Sequence, residues 1–342
     1  MPSDPPTRSI HEEAVDHAKL AARAAYLGWR HLRSEYSQDI DTVLATIETN
    51  GPWTWTLPMG AMASAETGAD GAGVEVLRYV SATNMAEIRE QYVSMREQVE
   101  LWDWISMTDL RSSWYMVTHG VGTLTQKPDN NEFQVESVTM FPIGADGILG
   151  EVQIGAIANE RHNRWPEVPS PGVDVPLPQK RLEATILHNE FMDAIRAEDV
   201  DRIVATMRPN VATAIRSYLH DPYEVVNAEG ATQLAAYYRS LFERFEVREL
   251  RLVNRVVESW FVFAELHWIV AHRAGERGGE LVEFCTADIA PIDSDGKFWV
   301  RTGAGTNPVR IEAKELDAFA PYLDERGSEQ WQGWEFHLLE GA

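Results

Sequence analysis

Few side chains in this sequence are placed to move protons or hold oxygens, and they are scattered. His119 stands in the apolar run WYMVTHGVG. An imidazole that titrates near neutrality is a natural acid or base there. His31 offers the same chemistry in the first long helical pattern. Arg78 lies inside VEVLRYVS, and an arginine in an apolar stretch needs an anion or an acceptor. Tyr79 beside it points the other way if the stretch is extended. Asp103 sits between Trp102 and Trp104. Arg78, His119, His31, Tyr79 and Asp103 form the candidate catalytic set. Each also has a plain structural reading: a satisfied buried histidine, a salt bridge or a solvated carboxylate.

The tryptophans number twelve, which is unusual. Trp53 and Trp55 share one face of an extended PWTWTL, and Trp102 and Trp104 share a face of a later strand. Two such stripes would line a cavity wall suited to flat aromatic rings, or pack a core. Tyr115 falls on the strand face of His119, and Tyr26 precedes His31 by more than one helical turn. Trp53, Trp55, Trp102, Trp104, Tyr115 and Tyr26 are the candidate substrate contacts. The second half offers Asp288, Glu265, His188 and Tyr218. Asp288, in the apolar CTADIAPI, is the strongest of these, because a buried carboxylate titrates high.

What is missing narrows the chemistry. The sequence has no GxGxxG, GxxxxGK, HExxH or GxSxG, so the expectation is no cofactor and no metal. A single cysteine, Cys285, excludes an intrachain disulfide and a multi-cysteine zinc site. Thirty Lys and Arg against 53 Asp and Glu give a net charge of −23. That argues against nucleic acid and anionic lipid as partners. The sequence starts without an apolar leader and has no long apolar run, so cytoplasmic residence is expected.

The 342 residues suggest about two domains. The chain also repeats itself. QDIDTVLATI (38–47) returns as EDVDRIVATM (198–207), SSWYMVTHG (112–120) as ESWFVFAEL (258–266), and VESVTMFPIGADG (135–147) as FCTADIAPIDSDG (284–296). The order is kept, which indicates a tandem duplication. We expect a first domain over 1–165 with an insertion at 58–73, a Pro-rich linker at 166–179, a second domain over 180–305 and an extension over 306–342. Each copy reads alike. A long helix (12–33, 180–197) and a shorter one (39–48, 198–207) precede a strand (52–57, 211–219). A third helix (84–99, 229–243) comes next. Strands then follow at 101–109, 112–126, 132–142 and 148–157, and at 246–257, 259–273, 280–291 and 297–303. Asp146-Gly147 and Asp295-Gly296 mark hairpin turns. Helices grouped before antiparallel strands give an α+β class.

Two or three helices before a curved antiparallel sheet, with Asp39-Ile40-Asp41-Thr42-Val43 and Asp199-Val200-Asp201-Arg202-Ile203 opening the second helices, resemble the nuclear transport factor 2-like (SnoaL-like) superfamily. The resemblance implies two tandem cones, each a bent sheet closed by helices around a pocket. In the ketosteroid isomerase branch the tyrosine position falls on His31 and Phe191, the base on Trp55 and Ile215, and the later acid on Thr139 and Asp288. Neither copy holds that set, so the resemblance does not imply that activity. The aromatic load is similar to that of sphingomonad diarylpropane lyases. That likeness implies release of formaldehyde from a lignin-derived diaryl diol through a quinone methide, without a cofactor. The alternatives are a dehydratase, isomerase or cyclase of this fold, or a non-catalytic binding module. A small aromatic substrate and a homo-oligomer are the expected partners.

Overall fold

The computed structural model describes residues 10–49, 53–56, 84–127, 130–157, 177–216, 225–275, 277–293 and 295–306. The chain divides into two compact units. The described part of the first comprises 10–49 and 84–150 without 128–129, and that of the second comprises 53–56 and the described residues from 151 to 306.

The first unit opens with α1 (Ile10–Tyr36) and the short α2 (Ile40–Leu44). The Asp39 side chain caps α2 by accepting from the Asp41 amide. Then α3 (Met85–Gln98) is capped by Asn84. Its C-terminus runs directly into β2 (Val99–Arg111), which pairs antiparallel with β3 (Tyr115–Gln126), as β3 does with β4 (Asn131–Pro142). Two short strands, β1 (Thr54–Thr56) and β5 (Gly150–Ile157), complete the first half of the sequence.

The helices lie on one face of β2, β3 and β4. Gly28 sets the approach of α1, because a Cβ there would lie 2.9 Å from Met116 Sδ. That places Met116, Thr118, Gly120 and Gly122 of β3 on the helix side, with their partners Phe141, Thr139, Ser137 and Val135 of β4. Tyr115, Val117 and His119 alternate onto the opposite face. They are buried there too.

The second unit holds α4 (Leu177–Arg196), α5 (Val200–Ala205), β6 (Met207–Arg216), β7 (Val225–Glu229), α6 (Gly230–Arg244), β8 (Phe245–Val257), β9 (Phe261–His272), β10 (Leu281–Pro291) and β11 (Phe298–Thr306). Its sheet runs β7-β6-β11-β10-β9-β8, with one parallel pair between β11 and β6. Register shifts at Val247/Glu249 and Leu252/Asn254 bend β8, and the sheet curls into a cone-like half-barrel. Val262, Ala264, Leu266, Trp268 and Phe284 pack there with Phe191, Leu234, Tyr238 and Phe242 of the helices. The strands of the other sheet do not close in this way, so the expected pair of cones is established for one sheet only. Among the described residues no helix is long and apolar enough to cross a membrane.

Small structural devices recur in the two halves. Gln38 and Glu198 both take positive φ (57° and 54°) just before the capping aspartates Asp39 and Asp199. Thr46 and Thr206 each donate to the carbonyl three residues back at 2.6 Å. Lys127 and Arg273 each reach back to the last turn of a helix, to the carbonyls of Arg96 and Phe242. Register shifts at Leu101/Asp103 and Ser106/Thr108 match those of β8. Trp114 stacks edge-on with Tyr115 (centroids 4.9 Å apart), as Trp260 does with Phe261 (4.6 Å).

Candidate functional site

The polar residues that meet under the first unit's helices come from α1, α3 and the end of α2. His31 and Glu35 are one turn apart on α1, and Tyr92 and Arg96 one turn apart on α3. Thr46 follows α2. All five are buried, His31 completely.

The hydrogen bonds fix the state of His31. Thr46 Oγ1 spends its proton on the Val43 carbonyl at 2.6 Å. It therefore accepts from His31 Nδ1–H, also at 2.6 Å. Burial first, and then the Arg96 guanidinium, push the imidazole down to about 3. The ring is neutral at pH 7, so Nε2 is an acceptor and takes the Tyr92 hydroxyl proton at 3.0 Å. Phe141 packs edge-on at 5.4 Å between ring centroids and holds the imidazole plane.

Glu35 Oε1 lies 3.7 Å from His31 Nε2. With the ring neutral this is no ion pair. Burial pushes the carboxyl up to about 7, against the pull of Arg96. Glu35 thus exchanges its proton in the neutral range, as a general base or acid must. Arg96 carries the only fixed positive charge of the five residues. Its Nε and Nη2 are buried and find no hydrogen-bond partner among the described residues. His31 and Glu35 also place ligand atoms within 4.8 Å of each other, so these two side chains could contribute to holding a metal ion.

The candidates chosen from sequence separate in space. His31 belongs to this cluster. His119 lies on the face of β3 away from α1, where Nε2 contacts Glu136 Oε1 at 2.9 Å. Tyr115 shares that face, in contact with Trp114. The structure therefore does not bring His119 and His31 together. Asp103 accepts the Thr123 backbone N–H at 2.9 Å, across the β2–β3 pair. Trp104 is buried against Gly120, where a Cβ would come within 2.9 Å of the indole. Its Nε1 donates to Thr118 Oγ1 at 3.3 Å. Trp102 is the extra residue of a bulge, since Leu101 pairs with Leu124 and Asp103 with Thr123. The side chains of Trp55 and Trp102 lie outside what the structure describes, as do Arg78, Tyr79 and Tyr218 entirely. Trp53 and Tyr26 are half-buried.

Glu35, Tyr92, Arg96 and Thr46 were not singled out from sequence. Glu35 and His31 share a helix face at i, i+4, but Glu35 lies past the helix end expected at residue 33, whereas α1 continues to Tyr36. Tyr92 and Arg96 carry the same spacing on a helix that the sequence did reveal.

The second unit resolves its polar interior differently. Arg301 Nη1 donates to the Tyr238 hydroxyl at 2.8 Å, Nη2 pairs with Asp288, and the guanidinium carbon lies 3.9 Å from the Phe191 centroid. Burial raises the Asp288 carboxyl, as expected from sequence, and Arg301 opposes that shift. Burial also pushes His188 down to about 3, aided by Arg301 and Arg255. Glu265, like His119, faces away from the helices and accepts from Asn254 at 2.8 Å. Burial lifts the Cys285 thiol to about 11, so it is not a thiolate at neutral pH.

No protein-family model matches the chain, and no curated protein matches it either. Solved structures do. An NTF-2 like protein of unknown function from Burkholderia xenovorans is 14% identical, covering 41% of this chain and 94% of its own at a TM-score of 0.32. An LEH-like epoxide hydrolase of M. tuberculosis is 15% identical, with coverages of 41% and 91% and a TM-score of 0.29. A ketosteroid isomerase-like protein from Erwinia carotovora is 14% identical, with coverages of 38% and 98% and a TM-score of 0.31.

Proposed function

We propose that the first unit is an acid–base catalyst for a small organic substrate, of the isomerase, dehydratase or cyclase kind, with Glu35 as the proton-transfer group. The observation that carries this reading is a buried pair, Glu35 Oε1 3.7 Å from His31 Nε2, in which Thr46 and Tyr92 hold the imidazole neutral and burial raises the carboxyl. Raised toward neutrality by burial, Glu35 can take a proton from a carbon next to a carbonyl when ionised and return it when protonated. Returning that proton to another carbon isomerises the substrate. Loss of a neighbouring hydroxyl dehydrates it, and attack of the carbanion on a second carbonyl closes a ring. The Thr46–His31–Tyr92 chain keeps the Tyr92 ring in place beside the carboxyl.

This reading takes the chain as two copies of one cone-shaped fold. The recurrent caps, bulges and helix-end contacts support it. In the second copy Arg301 and Asp288 occupy the interior, so catalysis is assigned to the first.

Formaldehyde release from a diaryl diol is the narrower form of the same idea. It would use protonated Glu35 as the acid on the leaving hydroxyl. His31 is a poor acid with a pKa of about 3, and His119 faces the other side of the strands. That favours the isomerase, dehydratase and cyclase group.

The test is to incubate the protein in D2O with enolisable ketones, β-hydroxy carbonyl compounds and phenolic diaryl-propanediols. Mass spectrometry then reads deuterium uptake, loss of water or loss of formaldehyde. Turnover that falls at least about 100-fold in Glu35→Gln supports the reading. Turnover unchanged by that substitution refutes it, and loss of formaldehyde alone selects the lyase. Binding of the compounds without turnover makes the chain a binding module.

A further inference from the structure

Among the described residues of the first unit, Arg96 is a buried charge whose Nε and Nη2 are left open. It is 7% exposed. A guanidinium does not shed its proton, so the charge stays in the interior whatever the pH. A buried cation of this kind calls for a counter-charge with hydrogen bonds. The two buried nitrogens without a partner among the described residues are Nε and Nη2. These form one edge of the fork, the edge whose two parallel N–H bonds match the two oxygens of a carboxylate.

The second unit shows the closed alternative. Arg301 is equally buried there, and it is gripped by Asp288, Tyr238 and the Phe191 ring. Tyr238 and Phe242 stand one turn apart on α6, as Tyr92 and Arg96 do on α3. The first unit thus has a cation where the second has a phenylalanine. Glu35 does not close the fork: no ion pair or hydrogen bond joins it to Arg96 among the described residues, and burial keeps it partly neutral.

We infer that the Nε–Nη2 edge of Arg96 anchors a carboxylate of the substrate, so that the first unit acts on small organic acids. Arg96 stands one turn from Tyr92 on α3, and its charge acts on both His31 and Glu35. The identity of the bound acid as substrate rests on the function proposed above, but the anion site is testable without turnover.

The probes are formate, acetate and benzoate, titrated at constant ionic strength with chloride as the reference and benzamide as the neutral control. Binding is read by the melting temperature and by the Arg96 Nε–H resonance in 15N NMR, assigned with Arg96→Lys. We expect at least one carboxylate to bind wild type at least about tenfold more tightly than Arg96→Gln, with Arg96→Lys between them. Without anions, Arg96→Gln should melt close to wild type, because Nε and Nη2 have no hydrogen-bond partner to lose among the described residues.

Failure of all three carboxylates to bind wild type more tightly than Arg96→Gln overturns the inference. So does a melting temperature that falls in Arg96→Gln and is restored in Arg96→Lys with no carboxylate effect, which would mark Arg96 as structural. If Arg96→Gln does not fold, the wild-type Nε–H resonance decides alone: no shift on adding carboxylate overturns the inference. Carboxylate binding through Arg96 together with unchanged turnover in Glu35→Gln would sink the catalytic reading and leave the anion site standing.

Discussion

Replacing Glu35 by Gln should make the protein more stable, increasingly so as the pH rises. The carboxyl moves from an ordinary 4.5 in the unfolded chain to about 7 in the folded one. A raised folded value means that the native state binds the proton more tightly, so stability is highest at low pH and is lost as the pH climbs between these values. Wild type therefore loses roughly 2 to 3 kcal/mol between pH 5 and pH 8 through this group. The amide of the variant would keep the shape and lack the ionisation. The gap between variant and wild type should therefore open by that amount, or about 1 M in urea midpoint. Urea-dependent hydrogen exchange of the α1 amides suits the measurement, because it reports the first unit by itself. Parallel pH profiles for the two proteins would refute the environment assigned to Glu35. A variant less stable at pH 8 would mean that the ionised carboxylate is held by a partner.

Other expectations follow from the same geometry. His31 and His188 are both buried with values near 3, below their unfolded 6.5. The unfolded chain takes up their protons first, so stability should fall as the pH drops from 6.5 towards 3. The double variant His31→Gln, His188→Gln should flatten acid denaturation followed by circular dichroism, and an unchanged acid midpoint would contradict this. Asp288→Ala should cost about 3 to 5 kcal/mol in urea unfolding, because it strands Arg301 in the interior; a loss below about 1 kcal/mol would mean that the pair is solvated. Gly120→Ala should cost about 3 kcal/mol or more, since its Cβ would overlap the Ile105 carbonyl, which cannot give way as a side chain can. His119→Ala should leave turnover within about threefold of wild type while Glu35→Gln abolishes it. Equal losses would place the chemistry on the other face of β3.

The strands and turns were largely legible, because alternation of apolar residues and Asp-Gly pairs are local signals. The turns at Asp146-Gly147 and Asp295-Gly296 stand where expected, between backbone bonds from Gly144 to Gly147 and from Asp293 to Lys297. The helix caps Asp39 and Asp199 were equally plain. The site was less so. Alternation put His119 and Tyr115 on a common face, which is right, but alternation does not say which face the helices cover. The register shift at Leu101/Asp103 was not legible, because a bulge inserts one residue and no residue type announces it. Glu35 was hidden by SEYSQ, which reads as a polar break, yet α1 runs through Ser34 and Glu35 to Tyr36. The Ser34 hydroxyl donates back to the His31 carbonyl at 2.6 Å in that last turn. Strand β7 was missed because only five residues form it, beside a strand that covers it.

The tyrosine that recurs on α3 and α6 has a consequence for how the two halves can change over generations. Tyr92 gives its proton to a histidine, whereas Tyr238 receives one from an arginine. The same phenol therefore serves as a donor in one half and an acceptor in the other. Phenylalanine at position 238 would cost folding, and any lineage carrying it would lose protein abundance. Phenylalanine at position 92 would spare a neutral histidine most of that cost and would be felt in chemistry. A library of random substitutions, sorted once for soluble protein and once for turnover, should therefore divide by half of the chain. Soluble but inactive clones should concentrate on α1 and α3, and insoluble ones on α6, β10 and β11.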